Sequence, residues 1–179
     1  MKEHPLDYRT IQSELKYEGV IVHVKLDRII LESGKEVFRE VVTHKPAVAI
    51  APLDDDGNVL LVRQYRHPAR EKLLEVPAGL IEEGEEPDVA AMRELQEEVG
   101  FASNNLRLLG GFWSSPGFTD EYMYCYLASN LVKRELPGDD DEEITTERIP
   151  LEEVHKLIKL GEIQDAKTIA LLLMIVDVF

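Results

Sequence analysis

The sequence is poor in cysteine, in positive charge and in long apolar runs. Cys125 is the single cysteine among 179 residues, which excludes an intrachain disulfide framework and a cysteine-ligated zinc site. Its setting in the run YMYCYL marks a small buried apolar residue. The longest apolar stretch, IALLLMIVDVF, is interrupted by Asp177 and is too short to span a bilayer. The leading MKEHPLDYRT has no apolar segment of the kind a secretory signal needs. The expectation is a cytoplasmic protein without membrane association. Lys and Arg number 20 against 35 Asp and Glu, a formal net charge of −15. A uniformly acidic surface repels nucleic acid phosphate and anionic lipid, so an anionic ligand needs local arginine or a bound cation. Polynucleotide binding is therefore disfavoured. Internal repeats and linkers rich in Ser, Pro or Gly are also missing.

What remains is a globular composition, 44% hydrophobic and 31% charged, long enough for one full core with a small appended subdomain. From Thr10 to Val42 the pattern is strand-like, with EGVIVHVKLDRIIL, the turn ESGKE and the extended VFREVV. A seam near His44 to Pro46 divides an N-terminal β subdomain (1–45) from the main domain (46–179). AVAIAPL and VLLVRQYR flank DDDGN and read as a hairpin buried in the core. KLLEVPAG gives a further short strand, and LRLLGGFW and EYMYCYLA flank the loop SSPGFTDE. PLEEVHKLIKLGE is an amphipathic helix, whereas DAKTIALLLMIVDVF is apolar on nearly every side and expected to pack between elements or against another chain. Strands on both sides of a helix argue for an α+β layered structure.

The unusual segment is GLIEEGEEPDVAAMRELQEEVGF, residues 79–101, which holds eight acidic residues and one basic residue, Arg93. Pro87 suits the first helical position and Gly100 the residue past the end, so a helix is predicted over 87–99. Ala91, Leu95 and Val99 form its apolar stripe with Met92 at the edge, and Glu94, Glu97 and Glu98 gather on the other side. Like charges at i,i+3 and i,i+4 destabilise a helix by a few tenths of a kcal/mol per pair, roughly. A divalent cation such as Mg²⁺, which prefers hard oxygen ligands and bridges carboxylate to phosphate, resolves the conflict. A solvated acidic face would be the simpler account of an isolated REL.EE string. The strand ending in EVPAG and the Gly-rich loop through Gly79, Gly84 and Glu85 argue instead for a phosphate and metal platform.

Gly79, Glu85 and the run RELQEEVGF from Arg93 to Phe101 match every defined position of the Nudix box, so the chain resembles the Nudix hydrolase family. The resemblance implies the Nudix fold, an α/β/α sandwich with a mixed central sheet, here with a small N-terminal antiparallel sheet. It implies hydrolysis of a nucleoside diphosphate linked to another group, with Mg²⁺ or Mn²⁺ bound at Ala78, Glu94, Glu97 and Glu98. Glu97 and Arg93 are expected to serve catalysis, Arg93 and Glu85 as a pair that orients the carboxylates.

Pro116, 16 positions after Gly100, is similar to the signature of the ADP-ribose pyrophosphatase subgroup, as are VRQYRHPAREKLLEVPAGLIEEGE and the DAKT lead into the last helix. That resemblance implies hydrolysis of ADP-ribose to AMP and ribose 5-phosphate. Arg66 is the first candidate for the phosphates, Arg39 and Arg63 weaker ones, and Pro116 and Gly117 shape a loop near a ribose. The catalytic base is expected in the acidic loop GDDDEEITTERIP, at Glu142 with Glu143 as alternate, while Asp139 to Asp141 read as plain loop. The subgroup also implies a homodimer in which the N-terminal sheet crosses to the partner and helps bind adenine. Tyr17 is a possible adenine contact, though core packing is the default for a single aromatic. Another nucleoside diphosphate sugar such as GDP-mannose, an oxidised nucleotide, or a non-catalytic ADP-ribose sensor are the competing readings. His4, His23, His44, His67 and His155 show no ligand-like spacing.

Overall fold

Alternation of β-branched and polar residues in the first third builds a separate sheet, and the apolar strands after Pro46 build the core. In the computed structural model, which describes residues 8–138 and 143–176, the chain divides into two units. The first takes residues up to 45 together with 113–121, and the second takes 46–112 and 122–179.

In the first unit β1 (Arg9–Glu18), β2 (His23–Ile30) and β3 (Glu36–Thr43) form an antiparallel sheet in the order β1-β2-β3. Its register pairs Val24 with Val42 and Leu26 with Glu40. Short turns close both hairpins, through Gly19 N–H to the Val22 carbonyl (3.0 Å) and Gly34 N–H to the Leu31 carbonyl (2.9 Å). The segment 113–121 joins this unit through backbone bonds: Val42 N–H donates to the Phe118 carbonyl at 2.7 Å and Asp120 N–H to the Val42 carbonyl at 3.3 Å. Strand β1 is exposed along nearly its whole length. Tyr17 is 59% exposed rather than packed in a core, because β1 is the edge strand of a sheet too thin to cover it.

The second unit is organised around β4 (Ala47–Pro52), buried at all six positions. Its sheet runs β7-β4-β9-β8, with β7 (Ala78–Leu80), β9 (Tyr122–Lys133) and β8 (Phe101–Trp113). Strand β4 is parallel to β9 and antiparallel to β7, so the sheet is mixed. A second sheet orders β10 (Thr145–Pro150), β5 (Asn58–Arg66) and β6 (Glu71–Glu75), all antiparallel. The expected hairpin between β4 and β5 is thereby corrected. The turn forms, with Asp54 Oδ1 accepting the N–H of Asp56 (3.0 Å) and of Asn58 (2.8 Å), but the two segments pair only through the isolated Leu53–Val59 bridge among the described residues, and the strands lie in different sheets. Strands apolar on both faces need cover on both faces, and each finds it in a different sheet.

Helices follow at α1 (Pro87–Val99), α2 (Val154–Leu160, led by a 3₁₀ turn at Leu151–Glu153) and α3 (Ala166–Val176). Strand β4 alternates between two cores. Ala47, Ala49 and Ala51 face a core shared with Leu171, Leu172 and Ile175 of α3, whereas Val48 and Ile50 face one shared with Ala90, Ala91, Leu95 and Val99 of α1. Strand β9 does the same, with Cys125 on the α3 side and Tyr126 on the α1 side. This is the expected α/β/α layering. Burial pushes the Cys125 thiol up to about 11, as befits a core residue. Helix α3 buries Thr168, Leu171, Leu172 and Ile175 and leaves Leu173 and Met174 partly exposed. Among the described residues no helix is long and apolar enough to cross a membrane.

Candidate functional site

Helix α1 begins and ends where Pro87 and Gly100 predict. No side chain caps its start, and the N–H groups of Val89 and Ala90 reach the Glu86 carbonyl, both at 3.0 Å. At the other end Gly100 adopts φ +75° and donates its N–H to the Leu95 carbonyl. A side chain in that left-handed conformation costs about 1–2 kcal/mol, which accounts for glycine at this place.

The acidic side of α1 is not a solvated face. Glu94 is only 8% exposed, as buried as the apolar stripe it adjoins. Strand β7 explains how: a Cβ on Gly79 would overlap the Glu94 carboxylate, so the missing side chain is the slot that the carboxylate fills. Glu98 is tied to the same strand, its Oε2 accepting the Ala78 N–H at 3.3 Å.

Arg93 links the rest. Its Nε and Nη2 donate to the two oxygens of Glu85, each at 3.0 Å, and Nη2 also reaches the Leu80 carbonyl at 3.0 Å. Its Nη1 donates to Glu94 Oε1 at 2.6 Å and Glu97 Oε2 at 2.9 Å. The bond from Arg93 holds the Glu85 carboxyl below the usual carboxylate range, and Glu85 in turn raises the Arg93 guanidinium further above its ordinary value. Glu85 also accepts the Glu82 N–H at 2.9 Å, which shapes the loop before the helix. Glu85, Glu94 and Glu97 thus share one guanidinium, while Glu98 is held by the backbone of β7.

That donor set fits a hard divalent cation in chemistry and charge: oxygen ligands, excess negative charge and partial burial. In this conformation Arg93 is the counter-charge of Glu94 and Glu97, and among the described residues no three His, Cys, Asp or Glu side chains converge at metal-binding spacing.

Arg66, at the end of β5, donates from Nε and Nη2 to the two oxygens of Glu75 at 2.8 and 2.9 Å. Lys167 of α3 holds the same carboxylate and also Asp165, at 3.0 Å. Asp165 accepts the Thr168 N–H (2.9 Å) and hydroxyl (2.6 Å) at the start of α3, and Thr168 Oγ1 accepts the Val76 N–H at 2.9 Å. Burial alone would raise the Glu75 carboxyl, but the bonds from Arg66 and the Lys167 charge outweigh it and leave it lowered. The sequence reasoning missed this network. Its signal was a lone glutamate inside the apolar KLLEVP, since a charge there needs buried partners.

Of the remaining candidates, Arg39 lies exposed on β3 with Nη1 on the Phe38 carbonyl at 2.9 Å. Pro116 and Gly117 form the turn in which the Phe118 and Thr119 N–H groups reach the Ser115 carbonyl, both at 3.1 Å. All three belong to the first unit, whereas Ala78, Arg93 and the box carboxylates belong to the second. Arg63 pairs with Glu147 at 2.6 Å across β5 and β10. Glu142 and Asp139 to Asp141 lie outside the described residues, and Glu143 is exposed. The chain around that loop is anchored to the end of α1, with Leu136 N–H on the Gln96 carbonyl at 3.2 Å and Arg134 N–H on the Gly100 carbonyl at 2.9 Å.

The family model described as the NUDIX domain matches residues 43–172. The chain is 38% identical to an ADP-ribose pyrophosphatase of Bacillus subtilis over 167 residues, covering 91% of this chain and 89% of that protein. It is 37% identical to a methanol dehydrogenase activator of Bacillus methanolicus, covering 90% and 88%. A crystal structure described as an ADP compounds hydrolase superposes with a TM-score of 0.88 at 26% identity, covering 98% of this chain and 96% of the other.

Proposed function

The chain belongs to the NUDIX domain family and is a Nudix hydrolase, and on that premise we propose that it cleaves the pyrophosphate bond of ADP-ribose to give AMP and ribose 5-phosphate, with Mg²⁺ or Mn²⁺. The observation that carries this reading is the box itself: three carboxylates bonded to Arg93, with Glu94 seated in the slot left by Gly79 and Glu98 on the Ala78 N–H. The name of the Bacillus subtilis relative supports the choice of ADP-ribose among nucleoside diphosphate sugars.

In this proposal Glu94, Glu97 and Glu98, with Ala78, hold the ion. When bound, a divalent ion acidifies water and offsets charge developing on phosphate. Arg93 and Glu85 keep the carboxylates oriented, as outer partners of ligands do. Glu142, or Glu143 as alternate, takes the proton of the attacking water. Arg66 receives phosphate, and Arg39, Pro116 and Gly117 contact the remainder of the substrate. A homodimer formed through the N-terminal sheet and a cytoplasmic location complete the reading.

The test is chromatography of products after incubation with ADP-ribose and Mg²⁺. AMP and ribose 5-phosphate in equal amounts, abolished by chelation, are expected. Faster turnover of GDP-mannose would move the substrate assignment, and uptake of ADP-ribose without any turnover would leave a sensor. Glu142→Gln is expected to lower kcat by about 10²–10⁴-fold; near-normal turnover would remove Glu142 from the role.

A further inference from the structure

Glu75 is the most deeply buried carboxylate among the described residues, 1% exposed, yet it binds a side chain that reaches the surface: Arg66 is 38% exposed. Stability alone does not ask for such a pair. Withdrawing two charges from water costs about as much as their attraction returns, and apolar replacements of similar volume often serve as well. What a bidentate pair does specify is direction. Glu75 takes the Nε and Nη2 edge of Arg66, so the Nη1 edge is the one left to meet a ligand. The carboxylate cannot rotate to follow Arg66, because Lys167 grips its Oε2 and is itself held by Asp165.

The clamp is also joined to the box. The residue after Glu75, Val76, is bonded to Thr168, and Ala78, three residues on from Glu75, is bonded to Glu98. Glu98 in turn acts electrostatically on Arg66. A guanidinium with its Nε and Nη2 edge fixed on Glu75 thus stands within electrostatic reach of Glu98 of α1.

We propose that Glu75 is a positioning residue, which holds Arg66 edge-on so that its Nη1 edge meets the diphosphate of the substrate; the inference rests on the diphosphate-hydrolase reading above. Lys167 and Asp165 keep the clamp from turning. Glu75 touches no substrate and acts only through Arg66.

Two readouts test this: KM and kcat for ADP-ribose, and calorimetric affinity for inorganic pyrophosphate in magnesium buffer. Arg66→Ala and Glu75→Gln are each expected to raise KM and weaken pyrophosphate binding by about 10- to 100-fold, with kcat changed far less. The double variant is expected to bind no worse than Arg66→Ala, since Glu75 has nothing left to position. Losses that multiply in the double variant would overturn the proposal, as would an unchanged pyrophosphate affinity in Glu75→Gln. Arg66→Lys answers the same question without disturbing the buried carboxylate. It keeps the charge but has no second edge, so it is expected to bind like Arg66→Ala, and wild-type affinity would sink the idea. Because pyrophosphate is not ADP-ribose, its binding can depend on Glu75 even if another nucleotide sugar proves to be the substrate, so the two readings fail separately.

Discussion

Gly79 shows how one absent side chain sets the chemistry of a site. Its missing Cβ is the room in which the Glu94 carboxylate sits, and Arg93 then gathers Glu85, Glu94 and Glu97 on three of its nitrogens. Gly79→Ala is expected to push Glu94 out of place. Activity should fall by about 10–100-fold, the range for partners that orient metal ligands, while circular dichroism stays that of the wild type. Arg93→Gln should lose activity on the same scale, and calorimetry should show weaker Mg²⁺ uptake. Wild-type uptake would mean that Arg93 orients nothing. Acid titration gives a second handle. The folded Glu75 and Glu85 carboxyls both lie below their ordinary value, so each favours the native state above the unfolded carboxylate pKa of about 4.3. That contribution is lost as pH falls through the folded values. Urea midpoints should therefore hold between neutrality and about pH 5 and drop below about pH 4. Glu75→Gln should flatten part of that drop, and an undiminished slope would mean that Glu75 is not among its causes.

At the scale of elements, α1 carries two separable properties, a stop signal and a buried polar edge. Gly100→Ala should cost about 1–2 kcal/mol through the left-handed conformation it must keep, seen as a lower urea midpoint with an unchanged slope. Helix α3 carries a core face and a polar start. Leu171, fully buried against β4 and β9 residues, should lose about 2–5 kcal/mol on truncation to alanine. The start of α3, with Asp165 and Thr168, holds Val76, the residue just past β6, by a side-chain bond. Helix α1 was legible in advance because its signals are local: proline at the start, glycine at the end and an apolar stripe of 3.6 periodicity. The β4–β5 hairpin was misread for the converse reason. A turn says that two strands are consecutive, and only the burial of both faces decides which neighbours they keep.

At the scale of the molecule, the chain has a large unit built on a mixed sheet and a second antiparallel sheet with three helices, and a smaller antiparallel unit that recruits residues 113–121. Leu15, Tyr17, Phe38 and Ile21 of the smaller unit are exposed, apolar side chains that pairing with a second copy would cover. Light scattering at micromolar concentration is expected to give twice the chain mass of 20.4 kDa, and Leu15→Glu to shift it toward the monomer. A monomeric wild type would contradict the assembly. The recruitment of 113–121 could not be read along the chain, because it depends on backbone bonds from Val42 to residues more than seventy positions away.

Local chemistry decided much by itself. Composition set the charge and excluded disulfides, periodicity and punctuation set α1, and the spacing of Gly79, Glu85 and RELQEEVGF identified the family. The tertiary structure alone decided that Glu94 lies in a slot under Gly79, that Arg93 is shared among three carboxylates, and that Glu75, Arg66, Lys167 and Asp165 form one network. The division has a physical cause. Propensity and helix periodicity act between residues a few positions apart, whereas burial and the pairing of charges act between residues that only folding brings into contact.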